Sequence, residues 1–176
     1  MKLSHHPRNL LAAAALLLLP SGLLLAQTPS STSKAAPASL DIRLLVTAEP
    51  EKVFRPVRGP DGKFSMAEPV KVVPKGKLIA AVIFFKDCKA DAAGNCNVEL
   101  DFWGVRPDRS TFQDRKGVAL WRNKPAPHPG FSQLGSSFMK LQFEPKDLSG
   151  TYMLVAVAHD RISGTDSRAE TSFEVQ

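Results

Sequence analysis

Cysteine is nearly absent from this chain: the 176 residues hold two, Cys88 and Cys96. With none upstream of Cys88, no residue is available to carry the lipid that anchors a bacterial lipoprotein. Histidine is scarce as well. Of four, His5 and His6 lie in the N-terminal segment, which leaves His128 and His159 as the imidazoles of the main body and restricts enzyme and metal-site readings. Helix-period patterns with caps are missing after residue 40, which argues against an α or α/β domain. No nucleic-acid-binding motif is present, and no internal repeat is visible.

The first ten residues, MKLSHHPRNL, carry Lys2 and Arg8 and no acid, and they run into an apolar stretch from Leu10 to Leu19 and on to Leu25. This is a basic n-region followed by a signal-peptide h-region, with a cut expected after Ala26. The uninterrupted run is much shorter than the roughly 20 apolar residues a spanning helix needs. Cleavage removes two cations and no acid, taking the formal charge from +6 to +4. Residues 27–39, QTPSSTSKAAPAS, contain no large apolar side chain and read as a flexible leader. Residues 40–176 are the length of one domain and long enough to bury a core without metals or several disulfides.

In an exported chain Cys88 and Cys96 are expected to pair across the loop DCKADAAGNCN and pin a hairpin tip. The competing reading, a cation loop built on Asp87, Asp91, Asn95 and Asn97, matches no standard calcium spacing.

Period-two runs fenced by Pro, Gly, Asp and Asn recur along the rest of the chain, as in an all-β domain. The expected strands are 40–47, 70–73, 77–85, 98–103, 118–121, 138–144, 151–159 and 167–175. The 77–85 run is apolar on both faces, as a central strand covered on each side requires. The last two flank the turn 160–164 and should form an antiparallel hairpin.

The segment LQFEPKDLSGTYMLVAVA places Asp147, Gly150 and Tyr152 in a spacing that resembles the tyrosine corner of immunoglobulin-like domains. The likeness extends loosely over residues 40–176 and includes the turn at Pro107–Asp108 after the strand that ends near Trp103. It implies a single immunoglobulin-like antiparallel β-sandwich of about seven to eight strands, with the Tyr152 hydroxyl bonded back to the main chain. The inter-sheet disulfide of that family has no counterpart, since the facing positions hold Val, Leu and Ala. The resemblance is architectural and names no narrower family or activity.

Chemistry-bearing residues are few. A hydrolase could be sketched from His159 and Asp160, but no nucleophile elbow accompanies them. Met66, Met139 and Met153 with the two histidines could serve a copper carrier, yet no close His/Met pair occurs. Glu99, Asp101 and Trp103 share one strand face and could meet a sugar. No catalytic residue, metal or cofactor is expected. If Tyr152 points inward, strand phase sends Met153, Val155, Val157 and His159 outward, where Trp103 joins them. Such an apolar stripe is either covered by the connections 49–68 or 111–117, or is a contact site rimmed by Arg106, Arg109 and Arg122. The resulting expectation is a non-catalytic binding or assembly module of the bacterial envelope, periplasmic or secreted. Its partner would be a protein, an anionic envelope polymer or a second copy of the chain. Neither nucleic acid nor a membrane span after cleavage is expected. The rivals are an envelope metal or carbohydrate binder and a hydrolase.

Overall fold

The computed structural model describes residues 39–55, 57–58, 64–65 and 67–176. The expected signal peptide, the leader up to residue 38, and Met66 lie outside the described residues. In chain order the elements are β1 (Asp41–Thr47), α1 (Pro50–Phe54), β2 (Val57–Arg58), β3 (Phe64–Ser65), β4 (Val72–Val73) and β5 (Leu78–Lys86). There follow β6 (Asn95–Val105), β7 (Thr111–Pro125), β8 (Gln133–Gln142), β9 (Gly150–Asp160) and β10 (Asp166–Val175). Eight of these strands build two sheets, one in the order β1-β5-β8 and one in the order β4-β10-β9-β6-β7, while β2 and β3 pair separately. Neighbours are antiparallel except β4 and β10. The domain is an all-β sandwich, as the alternation implies.

Period two places one set of side chains between the sheets. Leu44, Ile83 and Leu141 enter from one side, and Leu100, Phe102, Leu154 and Ala156 from the other. β5 is the middle strand of its sheet, which explains why both of its faces are apolar: Ile79, Ala81 and Ile83 face the core, while Ala80 and Val82 are buried on the opposite face. There Phe54 of α1 packs on Phe138 of β8 with ring centroids 4.8 Å apart. The chain after β1 therefore reaches the outer face of the three-stranded sheet.

The corner forms as its residues imply. Tyr152 is buried and its hydroxyl donates to the Leu148 carbonyl at 2.9 Å. Asp147 accepts the Glu144 amide at 2.6 Å, which closes the turn before β9. Gly150 has φ 129°, and a Cβ there would come within 3.1 Å of Pro107, so both conformation and space call for glycine. Burial pushes the Tyr152 hydroxyl above its ordinary pKa. Tyr152→Phe should cost about 1–3 kcal/mol, because the Leu148 carbonyl loses its donor while the ring packing on Phe143 stays. Urea midpoints that coincide for the two proteins would remove the corner from the stability account.

Cys88 and Cys96 are joined by a disulfide. Closing so short a loop contributes on the order of 2–3 kcal/mol in the chain-entropy description. The acidic side chains of the loop are occupied by main-chain amides. Asp91 accepts from Ala93 and Asn95, and Asp87 accepts from Gly130.

One expectation requires correction. Residues 111–117 are not a connection; they are the first half of β7, which continues unbroken to Pro125. Its alternation is hidden by bulges. The pairing with β6 shifts register at four places, each adding residues to β7, and Gln113, Gly117 and Asn123 take positive φ. β7 is an edge strand, and such irregularity also blunts pairing with another chain. Likewise β8 starts at Gln133 rather than Phe138, its early part hidden by the small residues Gly135, Ser136 and Ser137.

Candidate functional site

The outer face of the five-stranded sheet holds the stripe read from strand phase. Trp103 lies opposite Val155 in the β6–β9 pairing, and Glu170 lies opposite Val155 on the β10 side. Val155 is fully buried, whereas Trp103, Met153 and Val157 are half-buried. The cover comes from the sheet itself. Arg168 of β10 stacks over the Trp103 ring at 5.5 Å and pairs with Glu170 at 3.1 Å, so long side chains from neighbouring strands roof the stripe. Of the two expected connections, 49–68 lies partly outside the described residues, while Asp114 and Lys116 of 111–117 border a groove with Trp103 and Val157.

The three rim arginines have separate fates. Arg106 donates to the Thr111 carbonyl at 2.9 Å and lies over Phe112, holding the β6–β7 turn. Arg109 sits exposed in that turn with φ 69°. Arg122 is 3.0 Å from Glu99, which Arg161 also clamps at 2.7 Å. Arg161 foremost, with Arg122, holds the Glu99 carboxyl below its usual range.

Strand alternation separates His159 from Asp160. The buried Asp160 carboxylate accepts the amides of Lys89, Ile162 and Ser163, so it is a turn anchor. The His159 ring meets other acids: Nδ1 is 2.7 Å from Asp166 and Nε2 3.4 Å from Asp101. Asp101 also accepts the Gly117 amide at 2.8 Å, and that bond, with His159, keeps its carboxyl below the ordinary value. Glu99, Asp101 and Trp103 do share a face, but each is engaged by protein groups. His128 packs edge-on against Phe131 in the loop after β7, and Met139 packs against the core. Among the described residues no cluster of three or more His, Cys, Asp or Glu is placed to hold a metal ion.

A further hollow lies elsewhere, between the edge strands β7 and β8 of the two sheets. β7 and β8 are held together by hydroxyl-to-carbonyl bonds, Ser136 to Leu120 at 2.9 Å and Ser137 to Ala119 at 2.7 Å. Beyond these bonds β7 bulges away at Gly117, and a cleft of about 510 Å³ opens. Its floor is the sandwich core itself, Ala81, Ile83, Leu100 and Phe102. Val118 and Met139 line the walls, and Phe138, 45% exposed, forms an apolar lip. The polar lining comprises Gln113, Ser136, Ser137, Arg115 and Lys140, and contains no acid. A smaller hollow of about 160 Å³ continues along the same seam past Gln113 and Lys140 to Tyr152. Of these residues sequence reasoning had singled out Met139, as a copper-ligand candidate, and Tyr152, as the corner, and it read none as part of a cleft. The one signal available was the run Gly135-Ser136-Ser137, small residues where the rest of the strand alternates large side chains.

No family model and no curated protein matches the chain. Several solved structures are similar to it. The alkylpurine DNA glycosylase AlkC of Pseudomonas fluorescens shares 15% identity over 79% of this chain, with a TM-score of 0.41, and the chain spans only 31% of that protein. A Niemann-Pick type C2 protein from the Japanese carpenter ant is 8% identical over 81% of this chain and 96% of its own, with a TM-score of 0.41. The CARDB domain of a Pyrococcus furiosus protein is 9% identical over 78% of this chain and 86% of its own, with a TM-score of 0.36. Functional readings of the chain draw nothing from likenesses this distant.

Proposed function

We propose that the chain is an exported, non-catalytic binding module that takes a small, largely apolar ligand into the cleft between β7 and β8. The observation that carries this reading is the cleft's floor: core residues of both sheets line a hollow of about 510 Å³ that opens at a sheet edge. That volume falls within the 300–1,000 Å³ of ordinary ligand pockets. Interiors are otherwise packed to crystal-like density, so a gap of this size leaves apolar surface without partner atoms. A ligand supplies them. Export is supported by the basic-then-apolar N-terminal segment and by the Cys88–Cys96 disulfide, which belongs in an oxidising compartment. A non-catalytic role is supported by the engagement of His159, Asp101, Glu99 and Asp160 with other protein groups. The envelope partner expected from the outer face gives way here to a small ligand, because Val155 is already buried and Arg168 lies over the Trp103 ring.

The test uses the neutral fluorophore N-phenyl-1-naphthylamine. Val118 lies opposite Leu100, on the interior face of the edge strand, and is only half-buried, so Val118→Trp fills the cleft without entering the packed core. The full chain should enhance the fluorescence saturably, and Val118→Trp should weaken binding at least roughly tenfold through lost apolar contact. Absence of binding by the parent chain, or equal binding by the folded variant, would overturn the reading.

A further inference from the structure

We infer that the ligand of this cleft is a single-chain anionic amphiphile, an alkyl carboxylate, held with its tail on the core floor and its head between Arg115 and Lys140. The inference rests on the cleft being the ligand site, and it adds the ligand's charge and class.

The position of Arg115 carries the argument. In the β6–β7 pairing Arg115 stands directly opposite Phe102, a buried core residue, so the arginine leaves the strand on the face that points between the sheets. A guanidinium on an interior face is costly unless it reaches water or an anion. Arg115 is exposed and lines the cleft, so it borders the opening from the interior side. Folding alone would favour an apolar residue opposite Phe102. Lys140 of β8 stands opposite Ala80, on the outer face of its sheet, and borders the cleft from the edge strand with its ammonium 6.0 Å from the Phe138 ring. Among the described residues neither cation forms an ion pair, whereas Arg122, Arg161 and Arg168 of the other sheet face all do. Two unpaired cations at the rim of an apolar cleft, one on the interior face of β7 and one at the edge of β8, complement one carboxylate above one alkyl chain. The hydroxyls of Ser136 and Ser137 are spent on the β7 carbonyls, which leaves the neutral Gln113 beside the two cations in the polar lining. A cleft of about 510 Å³ is suited to one chain and is entered from an edge rather than a flat face, which favours a free monomeric amphiphile over a bilayer surface.

Decanoate, decanol and decyltrimethylammonium, each below its aggregation threshold, would compete against N-phenyl-1-naphthylamine on the full chain at low salt. Decanoate should bind about tenfold more tightly than decanol, as a hydrogen bond to a charged group requires, and the cation most weakly. In the double variant R115Q/K140Q decanol should bind as before and the tenfold preference should vanish. Higher salt should shrink it in the parent chain, since the head is partly exposed. Equal competition by decanoate and decanol in the parent chain, or a preference that survives in the double variant, would overturn this inference while leaving the cleft as the ligand site. Failure of the parent chain to bind any of the three or the fluorophore would overturn the underlying reading as well. Sedimentation with phosphatidylglycerol vesicles without competition by decanoate would replace the free amphiphile by a membrane surface.

Discussion

Asp160→Ala is expected to lower the unfolding free energy by about 3–5 kcal/mol, the largest effect of any single substitution considered for this domain. The carboxylate is buried and accepts three main-chain amides: Lys89 at 2.7 Å, Ile162 at 2.9 Å and Ser163 at 3.3 Å. Two of these lie in the β9–β10 turn, and the third lies in the loop pinned by Cys88–Cys96. One side chain thus ties two hairpin tips at one end of the sandwich. Alanine leaves those amides without an acceptor, and a buried unsatisfied group costs more than a typical hydrogen bond gains. Asp160→Asn should fall between the two, because one carboxamide oxygen can still serve the turn while the amide nitrogen opposes the Lys89 N–H. Urea denaturation with the disulfide kept oxidised measures the difference. A loss below about 1 kcal/mol for alanine would show that water replaces the carboxylate at no great cost.

Gly135→Ala should cost about 2–3 kcal/mol, toward the upper end of overpacking effects. A Cβ at Gly135 would overlap the Leu120 side chain and come within 3.1 Å of the Ile83 carbonyl oxygen. Leu120 is fully buried and cannot swing into solvent, and a main-chain carbonyl in the middle strand of a sheet cannot retreat. The missing side chain is what lets β8 close on β7 beside the Ser136 and Ser137 bonds, so the same substitution should loosen the seam that bounds the cleft. Leu120→Ala in the Gly135→Ala background should recover part of the loss. Strict additivity of the two substitutions would mean that they do not meet.

The expected strands came through where one face of a regular strand is buried. Val98, Leu100 and Phe102 of β6, and Tyr152 to Ala158 of β9, alternate in sequence because they alternate in space. The corner was legible for a related reason: Asp147 and Tyr152 act through hydrogen bonds to residues three and four positions away, so their spacing in the chain is the spacing that matters. β7 was not legible along its first half. Its bulges at Gln113 and Gly117 reset the phase, and a pattern of period two cannot survive an inserted residue. The phase argument placed Trp103 beside Val155 correctly but could not show that Arg168 would lie over the ring. Arg168 belongs to a strand 65 residues downstream of Trp103, and only the β6-β9-β10 order brings the two together.

By itself the sequence determined the class of fold, the phases of its regular strands, the corner and the pairing of its two cysteines, because each depends on local geometry or on a count of one possible partner. Tertiary structure alone decided what the polar residues do. Asp160 became an anchor and not a partner of His159, since adjacent residues in a strand face opposite ways. Arg115 and Lys140 became the mouth of a cleft, since the edges of two separate sheets meet there. A gap between sheets is set by how two surfaces fail to close, and no single strand carries a record of it.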